Sequence, residues 1–198
     1  MEFDFNRSLT LENDHALLRS LNQNDFEKLL PFSENEPNLW DFSLTPASGV
    51  KNLKNYIKNA LDAREKKEAY PFLVIDKKKK LVAGCTRFYG INLKHDVLSL
   101  GYTWYGKDFQ RTGLNRNCKY LLLTYAFETL RCERVEFRAD NDNKRSIAAM
   151  QKIGCTVEGV LRSHLPRPDG TRRDSIILSI TKEEWEQKVK SLIKNQIA

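Results

Sequence analysis

The 198-residue sequence contains no run of about 18 apolar residues, so it predicts no membrane-spanning helix. Its first residues, MEFDFNRSLTL, include acidic side chains and lack the long apolar core of a secretory signal. The four cysteines are widely spaced, form no Cys-x-x-Cys pair and have no histidine pattern beside them. We therefore expect a cytoplasmic protein whose cysteines are buried free thiols rather than disulfides or zinc ligands.

Common nucleotide-binding motifs are also missing. No glycine-rich loop ends in Gly-Lys-Ser or Gly-Lys-Thr, and no G-x-G-x-x-G follows a predicted strand. These absences argue against ATP, GTP and NAD as ligands.

The composition is that of a globular protein, because 40% of residues are hydrophobic and 10% are aromatic along the whole chain. Since no internal repeat or linker is visible, residues 1–198 are predicted to form a single domain. The net charge of +7 fits an anionic ligand and would also fit weak nucleic-acid binding. The densest basic run, Lys77–Lys80, lies at an expected hairpin turn and has no interleaved aromatics, which disfavours nucleic acid as a partner.

The first third of the chain is predicted to contain short strands followed by two helices. Asn22 or Asn24 is expected to cap a helix that Pro31 ends, and Ser48 is expected to cap the next one. Residues 32–46 between them are aromatic-rich and irregular. Such a loop either is simply anchored to the core or forms the wall of a binding cleft.

Three β-rich runs then predict a meander, at residues 71–76, 80–91 and 97–105. Strict alternation along the third run predicts one face with Leu98, Leu100, Tyr102 and Trp104, and the other with Val97, Ser99, Gly101, Thr103 and Tyr105. Because glycine weakens a strand, Gly101 indicates a bulge or a close backbone approach.

The remainder of the chain alternates helix and strand, which predicts an α/β protein. The predicted elements are an amphipathic helix over 113–130, a strand over 134–139, a helix capped by Asn141 or Asn143 and ended by Gly154, two strands around an Asp169–Gly170 turn, and a helix capped by Thr181.

The stretch from Leu98 to Leu130 combines a strand, a polar loop and the start of a helix. The loop Gln-Arg-Thr-Gly-Leu-Asn, at residues 110–115, places a glycine where the helix begins. Backbone N–H groups at such a position lack intrahelical partners and carry positive potential, so they suit a phosphate. Arg111 and Arg116 add charge, and the loop is therefore predicted to hold a pyrophosphate.

In order and spacing, these blocks resemble the GNAT family of acetyl-CoA-dependent N-acetyltransferases, especially the RimJ/RimL type, which acetylates protein α-amino groups. The matching blocks are Leu100–Trp104, Arg111–Asn115, Leu121–Leu123, Ala126–Phe127, Arg134–Phe137, Asn143–Ser146, Lys152–Gly154, Glu158–Arg162, Asp169–Gly170, Arg173–Asp174 and Glu184–Trp185. The resemblance implies a mixed, mostly antiparallel central sheet of about seven strands flanked by helices. It also implies acetyl-CoA as the co-substrate, and no metal.

The resemblance assigns roles to particular residues. The strand that carries Thr103, Trp104 and Tyr105 would hold the pantetheine arm and polarise the thioester carbonyl through its backbone. The pyrophosphate would be held by Gln110, Arg111, Thr112, Gly113, Leu114, Asn115 and Arg116. Asn143 would bond the pantetheine or cap its helix. Ser146 corresponds to the residue proposed in that branch to protonate the leaving CoA thiolate.

Three positions depart from the family pattern. Met150 stands where many members carry a tyrosine acid, and Cys155 stands where phenylalanine is common. A tyrosine acid at that position is ruled out, which gives Ser146 more weight. Asn115 replaces a small residue of the loop, and phosphate binding should survive because backbone N–H groups make that contact.

No general base is assigned from the sequence. The candidates are Glu136, Glu158, Asp140, Asp174, His15, His95 and His164, and each of these residue types is more often structural or exposed. An α-amino acceptor, with a pKa near 8, needs much less help than a lysine near 10.4.

The sequence thus predicts direct attack of a primary amine on acetyl-CoA in a ternary complex, because no cysteine has an activating neighbour. The acceptor is expected to be a protein or peptide N-terminus, and a small-molecule amine (an antibiotic, a polyamine or an amino acid) is the alternative. A non-catalytic CoA-binding module is a further alternative. The acceptor, the general base, the acyl chain length and a homodimeric state are left open.

Overall fold

The structure, a computed structural model, describes residues 1–167 and 169–197. The strands are β1 (Thr10–Glu12), β2 (Ala16–Ser20), β3 (Ala69–Asp76), β4 (Leu81–Asn92), β5 (Val97–Tyr105), β6 (Arg134–Asp140), β7 (Thr156–Pro166) and β8 (Arg172–Thr181). They form one eight-stranded sheet in the order β1-β2-β3-β4-β5-β6-β8-β7. All neighbours are antiparallel except the parallel pair of β5 and β6. The predicted fold class is confirmed, with eight strands where about seven were expected.

Helices flank both faces of this sheet. They are α1 (Phe26–Asn35), α2 (Val50–Glu65), α3 (Leu114–Thr124), α4 (Lys144–Lys152), α5 (Lys182–Glu184) and α6 (Lys190–Ile197). A π-helical turn at Tyr125–Thr129 extends α3, and another at Trp185–Val189 joins α5 to α6. In the part of the chain that the structure describes, no helix is both long and apolar enough to cross a membrane.

Two apolar cores lie on the opposite faces of the sheet. The larger core includes Leu122 of α3 and Trp185 of the π-helical turn before α6, packed with sheet residues such as Phe72. The smaller core includes residues of α1 and α2 packed with Leu73 and Cys85. Because successive strand residues point to opposite sides, neighbours such as Phe72 and Leu73 belong to different cores. We call the two sides the α3 face and the α2 face.

A bulge in β5 overturns the predicted alternation of that strand. Leu98 and Leu100 lie in the core of the α3 face, but Trp104 lies in the core of the α2 face. The register explains the change, because Arg87 opposes Gly101 while Cys85, two residues earlier, opposes Trp104. One extra residue in β5 therefore reverses the faces beyond Gly101. Of the two features that Gly101 indicated, a bulge or a close backbone approach, the register shows the bulge.

Two helix boundaries also differ from expectation. Pro31 lies inside α1 rather than at its end, since its neighbour Phe32 packs edge-on against Trp104 and the buried Ser33 hydroxyl donates to the Ala47 carbonyl. Tertiary packing thus outweighs the lost hydrogen bond of a helical proline. The N-cap of α2 is Gly49, in a left-handed conformation with φ 81°, and not Ser48.

Other local predictions are confirmed. Asn22, Asn143 and Thr181 accept hydrogen bonds as N-caps, and Gly154 ends α4 with φ 96°. All four cysteines are buried free thiols. Residues 77–80 form the turn between β3 and β4.

Candidate functional site

The parallel strands β5 and β6 separate after three paired residues. Their register joins Val97–Ser99 to Arg134–Glu136 and then stops. Beyond that point β5 remains paired with β4 as far as Tyr105, and β6 remains paired with β8 as far as Asp140. The sheet is therefore split by a wedge-shaped gap, which no described strand fills, and the backbone of β5 lines one edge of the gap.

The bulge lies at this edge. Tyr102 has φ 50°, a left-handed conformation that a bulky residue rarely adopts, and its side chain is 38% exposed. Strained backbone of this kind persists where surrounding structure enforces it, and it is frequent at functional sites. The bulge changes the direction of backbone N–H groups next to the gap.

A short loop connects the end of β5 to α3 and is fixed by its own side chains. The Gln110 Nε2 donates to the Tyr105 carbonyl oxygen at 2.8 Å, and the Thr112 hydroxyl donates to the Phe109 carbonyl oxygen at 2.9 Å. Gly113 then has φ 89° and forms the N-cap of α3. A Cβ at this glycine would meet only Arg116 Nη2, at 3.7 Å. The left-handed backbone, rather than lack of space, therefore favours glycine here.

The start of α3 presents unpartnered backbone donors. The N–H groups of Arg116 and Asn117 both donate to the Gly113 carbonyl oxygen. Within residues 1–167 and 169–197, no acceptor is recorded for the N–H groups of Arg111, Gly113 and Asn115. Such groups are the usual anion-binding element at a helix N-terminus.

Two side-chain atoms at the same helix start are buried without a partner among the described residues, namely Asn115 Oδ1 and Arg116 Nε. Buried polar atoms are normally hydrogen-bonded, so the Arg116 guanidinium is available to an anionic ligand. The Asn115 oxygen is an acceptor and would not face a phosphate oxygen. Arg111 is exposed and in a left-handed conformation with φ 62°.

Several predicted binding residues have side chains that are already used by the fold. Trp104 packs on the α2 face against Trp40, with ring centroids 5.2 Å apart. Tyr105 and Leu114 are buried in the core of the α3 face. These residues can offer only their backbone to a ligand, as the predicted roles require. Burial also raises the pKa of Tyr105 well above its usual value, so its phenol stays protonated.

The other two predicted residues lie beyond β6, at the opposite edge of the gap. Asn143 Oδ1 accepts a hydrogen bond from the Ser146 N–H at 3.0 Å, so this side chain caps α4. Of the two roles considered for Asn143, capping is the one with an observed contact. Ser146 is half-buried, and no partner of its hydroxyl is recorded in the described chain.

Lys119 is a buried cation that was not predicted. It is 5% exposed, its Nζ donates to the Thr103 hydroxyl at 3.1 Å, and it lies 5.5 Å from the centre of the Phe137 ring. Thr103 belongs to β5 and Phe137 to β6, so the ammonium reaches the two strands that part. Burial lowers the pKa of Lys119 to about 8. The sequence contained an indication that Lys119 is buried, because it precedes the buried Leu122, Leu123 and Ala126 by three, four and seven residues. This spacing places Lys119 on the buried face of the helix.

Residues 15–156 match the family model described as an acetyltransferase (GNAT) domain, which is well over half of the chain. The chain belongs to the GNAT acetyltransferase family. The family predicted from the sequence is therefore confirmed.

Individual GNAT relatives agree with this assignment. A Bacillus subtilis (strain 168) protein named, provisionally, ribosomal N-acetyltransferase YdaF is 31% identical over 105 residues, which are 53% of this chain and 56% of that protein. The match thus spans little more than half of that relative. A crystal structure from T. thermophilus, described provisionally as an acetyltransferase, has a TM-score of 0.85 and 31% identity, over 96% of this chain and 97% of that one. A structure from Vibrio cholerae, provisionally a ribosomal-protein-serine acetyltransferase, shares the fold alone, with TM-score 0.72 and 22% identity over 87% of this chain and 97% of that one.

The carboxylates considered as general bases in this GNAT domain are mostly engaged elsewhere. Asp140 accepts two hydrogen bonds at 3.0 Å from Arg167, and Glu136 pairs with Arg138 at 2.6 Å. Glu158 pairs with Arg134, and hydrogen bonds from Arg134 and Ser179 lower its pKa. Asp174 accepts the Ser163 N–H at 2.7 Å. Each of the four carboxylates thus already makes a structural contact, and no base is assigned.

Proposed function

We propose that this GNAT protein transfers the acetyl group of acetyl-CoA to a primary amine by direct attack in a ternary complex. The observation that supports the proposal most strongly is the gap between β5 and β6, since it leads to unpartnered N–H groups at the start of α3. This arrangement offers backbone donors along an extended ligand and a cationic end for a pyrophosphate.

The donor fits the residues that are present. The loop from Gln110 to Arg116 would hold the pyrophosphate through N–H groups and the Arg116 guanidinium, whose buried Nε has no partner among the described residues. The backbone of Thr103, Trp104 and Tyr105 would hold the pantetheine arm. Acetyl-CoA supplies an activated acyl group as a thioester.

The protein's own contribution to the chemistry is mainly electrostatic. Backbone N–H groups of β5 near the bulge would donate to the carbonyl oxygen as negative charge develops there. The Ser146 hydroxyl would give a proton to the leaving thiolate. A neutral α-amine is well populated near pH 7.4, about a fifth of the total, so removal of its surplus proton requires no strong base.

The proposed acceptor is a protein or peptide N-terminal α-amine. The ribosomal N-acetyltransferase name of YdaF supports this class, although it describes that protein and not this one. A small-molecule amine is the alternative, because fold and donor do not fix the acceptor.

The decisive experiment compares thermal shifts with acetyl-CoA, ATP and NAD, followed by an assay of CoA-thiol release across peptides and small amines. At about 100 times its Kd, acetyl-CoA should raise Tm by roughly 5–10 °C, while ATP and NAD should have little effect. No shift with acetyl-CoA would overturn the proposal. A shift without thiol release from any amine would instead support a non-catalytic CoA-binding module.

A further inference from the structure

Arg87 is a buried guanidinium on the α2 face, opposite the face that carries α3. It is 6% exposed, and its guanidinium lies 4.2 Å from the centre of the Tyr102 ring and 5.5 Å from that of Tyr56. Its Nε is buried and has no hydrogen-bond partner among the described residues. The side chain is therefore held between aromatic rings without an anion.

Arg173, from β8, is a second buried guanidinium, and it shares Tyr102 with Arg87 as an electrostatic neighbour. It is 7% exposed, its Nε donates to the Ser175 hydroxyl at 3.1 Å, and Nη1 lies 3.5 Å from the Phe42 carbonyl oxygen. Burial lowers its pKa, while Asp140, Tyr89 and Tyr102 act against that change as electrostatic neighbours. We call Arg87 and Arg173 the arginine pair.

The arginine pair lies next to the point where β5 and β6 part. Arg87 is opposite Gly101, two residues beyond the last paired residue, Ser99. The Tyr102 ring that covers Arg87 also contacts Tyr89, with centroids 5.1 Å apart. Tyr89 and Ser99 line a cavity of about 310 Å³, together with residues of β6 that include Glu136 and Arg138. Ser99 of this cavity is two residues along β5 from Gly101, which Arg87 opposes.

Among the described residues, no carboxylate forms a salt bridge with either member of the arginine pair. No carboxylate oxygen of the described residues lies within 4.0 Å of either guanidinium. The acids of the region are engaged, Asp140 by Arg167 and Glu136 by Arg138. A buried guanidinium keeps its charge and is costly without a counter-ion. Two of them beside Tyr102 therefore favour an anionic ligand group.

We infer that the acceptor amine carries a carboxylate, which the arginine pair binds from the α2 face. The inference rests on the proposed function, and it selects among the acceptors considered above. Amino acids and peptides with an acidic first residue fit, because each places a carboxylate within a few bonds of the reactive amine. Polyamines and aminoglycoside antibiotics do not fit, because they would add positive charge to a face that already holds two unpaired cations.

The test measures thiol release from wild-type protein with matched acceptor pairs. Free glutamate is compared with glutamine amide, and a peptide that begins with Glu is compared with the same peptide that begins with Gln. Spermidine serves as a polycationic probe. The carboxylate member should have a kcat/KM about tenfold to a hundredfold higher in at least one pair. A preference confined to the free amino acids or to the peptides identifies the source of the carboxylate.

Substitutions then locate the preference. Arg87→Met should raise the KM for the carboxylate acceptor by at least about tenfold. The KM for the matched neutral acceptor should change by less than about threefold. Arg87→Lys, which keeps the charge and loses the planar fork, should restore part of the preference. Arg131→Met removes an exposed arginine and is the control. Calorimetric binding of the acceptor to the CoA-bound protein gives the same comparison without turnover.

Failure of this inference can be separated from failure of the proposed function. Thiol release with equal kcat/KM for every matched pair, or with spermidine preferred, would overturn the inference and leave the acetyltransferase proposal intact. If Arg87→Met lowered kcat/KM equally for both members of a pair, Arg87 would have a structural role only, and the inference would be wrong. Absence of acetyl-CoA binding would overturn the proposed function itself.

Discussion

Lys119 provides a direct test of the electrostatics of the gap. Its ammonium is buried, and its one recorded hydrogen bond among the described residues goes to the Thr103 hydroxyl at 3.1 Å. The nearby titratable groups that influence it are the thiols of Cys118 and Cys155, which are neutral near pH 7 because burial raises their pKa to about 12. Among the described residues, this charge therefore has no counter-ion in the folded protein. Lys119→Met removes the charge and keeps a flexible chain of similar length.

The size of the effect follows from the pKa. Burial lowers the pKa of Lys119 from its ordinary 10.5 to about 8, which corresponds to about 3 kcal/mol of lost stability well below pH 8. The direction of the pH dependence of stability is that of a base whose pKa is lower in the folded state than in the unfolded state. Below pH 8 both states hold the proton and the full cost is present. Between pH 8 and 10.5 the unfolded chain binds more protons, so stability rises with pH, and above 10.5 the cost is gone.

The prediction concerns a difference between two proteins. Lys119→Met should be more stable than wild type near pH 7, and this advantage should shrink by about 2–3 kcal/mol as the pH approaches 10.5. Loss of the bond to Thr103 and the packing of the methionine add terms that do not depend on pH. The buried thiols make both proteins less stable in alkali, because burial raises their pKa in the folded state. This effect is common to both proteins apart from the influence of the Lys119 charge, which lowers the pKa of Cys118 and Cys155 in wild type.

The assay is urea unfolding of both proteins with reductant at intervals from pH 7 to 10. The control is Lys78→Met, at an exposed position in the turn after β3. Its stability difference from wild type should stay constant with pH. A pH-independent difference for Lys119→Met would refute the reasoning, since it would mean that the ammonium is paired or solvated in the folded protein.

The remaining predictions concern the proposed donor site and the helix opposite it. Gly113→Asp should weaken acetyl-CoA binding at least about tenfold in calorimetry. Gly113→Ala is the control, because it meets the same φ of 89° without a charge and so separates backbone strain from charge repulsion. Ser146→Ala should lower kcat by about a hundredfold with little change in acetyl-CoA Kd, and unchanged turnover would remove Ser146 as the acid. Asn143→Ala should cost about 1 kcal/mol of stability in urea unfolding through loss of the α4 cap, whereas Asn141→Ala should cost less.

Local chemistry allowed much of this fold to be predicted from the sequence. The caps at Asn143 and Thr181 and the end of α4 at Gly154 depend on contacts within a few residues. The bulge at Gly101 was also visible, because a glycine inside a strand often marks an irregularity in the pairing. The effect of the bulge on the later residues of β5 could not be predicted, because the reversal of faces at Trp104 depends on how β4 pairs with the bulged strand. Pro31 was misjudged for a related reason, since the packing of Phe32 on Trp104 joins residues more than seventy positions apart.

The two sides of the proposed site differ in the same way, since one depends on local contacts and the other on residues far apart in the sequence. The donor side is made largely of backbone: a glycine cap, a bulged strand and the first N–H groups of a helix lie within residues 101–116. The donor side is therefore encoded in one short, contiguous motif, which can be identified from a single sequence. The acceptor side is made of side chains from distant elements, with Tyr56 on α2, Arg87 on β4 and Arg173 on β8. No spacing in the sequence brings these groups together, and only the folded sheet shows that both guanidinium groups have Tyr102 as a neighbour.

This arrangement explains why family membership fixes the donor better than the acceptor. A substitution at Gly113 meets a left-handed backbone that few residues tolerate, whereas a substitution at position 87 or 173 changes the charge of a buried side chain on a strand. The identity of those two residues can therefore change the accepted amine while the fold and the donor site stay intact. Replacing the arginine pair with acidic residues should accordingly move the preference toward polycationic amines without loss of acetyl-CoA affinity. Measuring kcat/KM for spermidine and for the carboxylate acceptors in Arg87→Glu, beside acetyl-CoA Kd, checks that outcome. A parallel loss of acetyl-CoA binding would mean that the two faces are not independent.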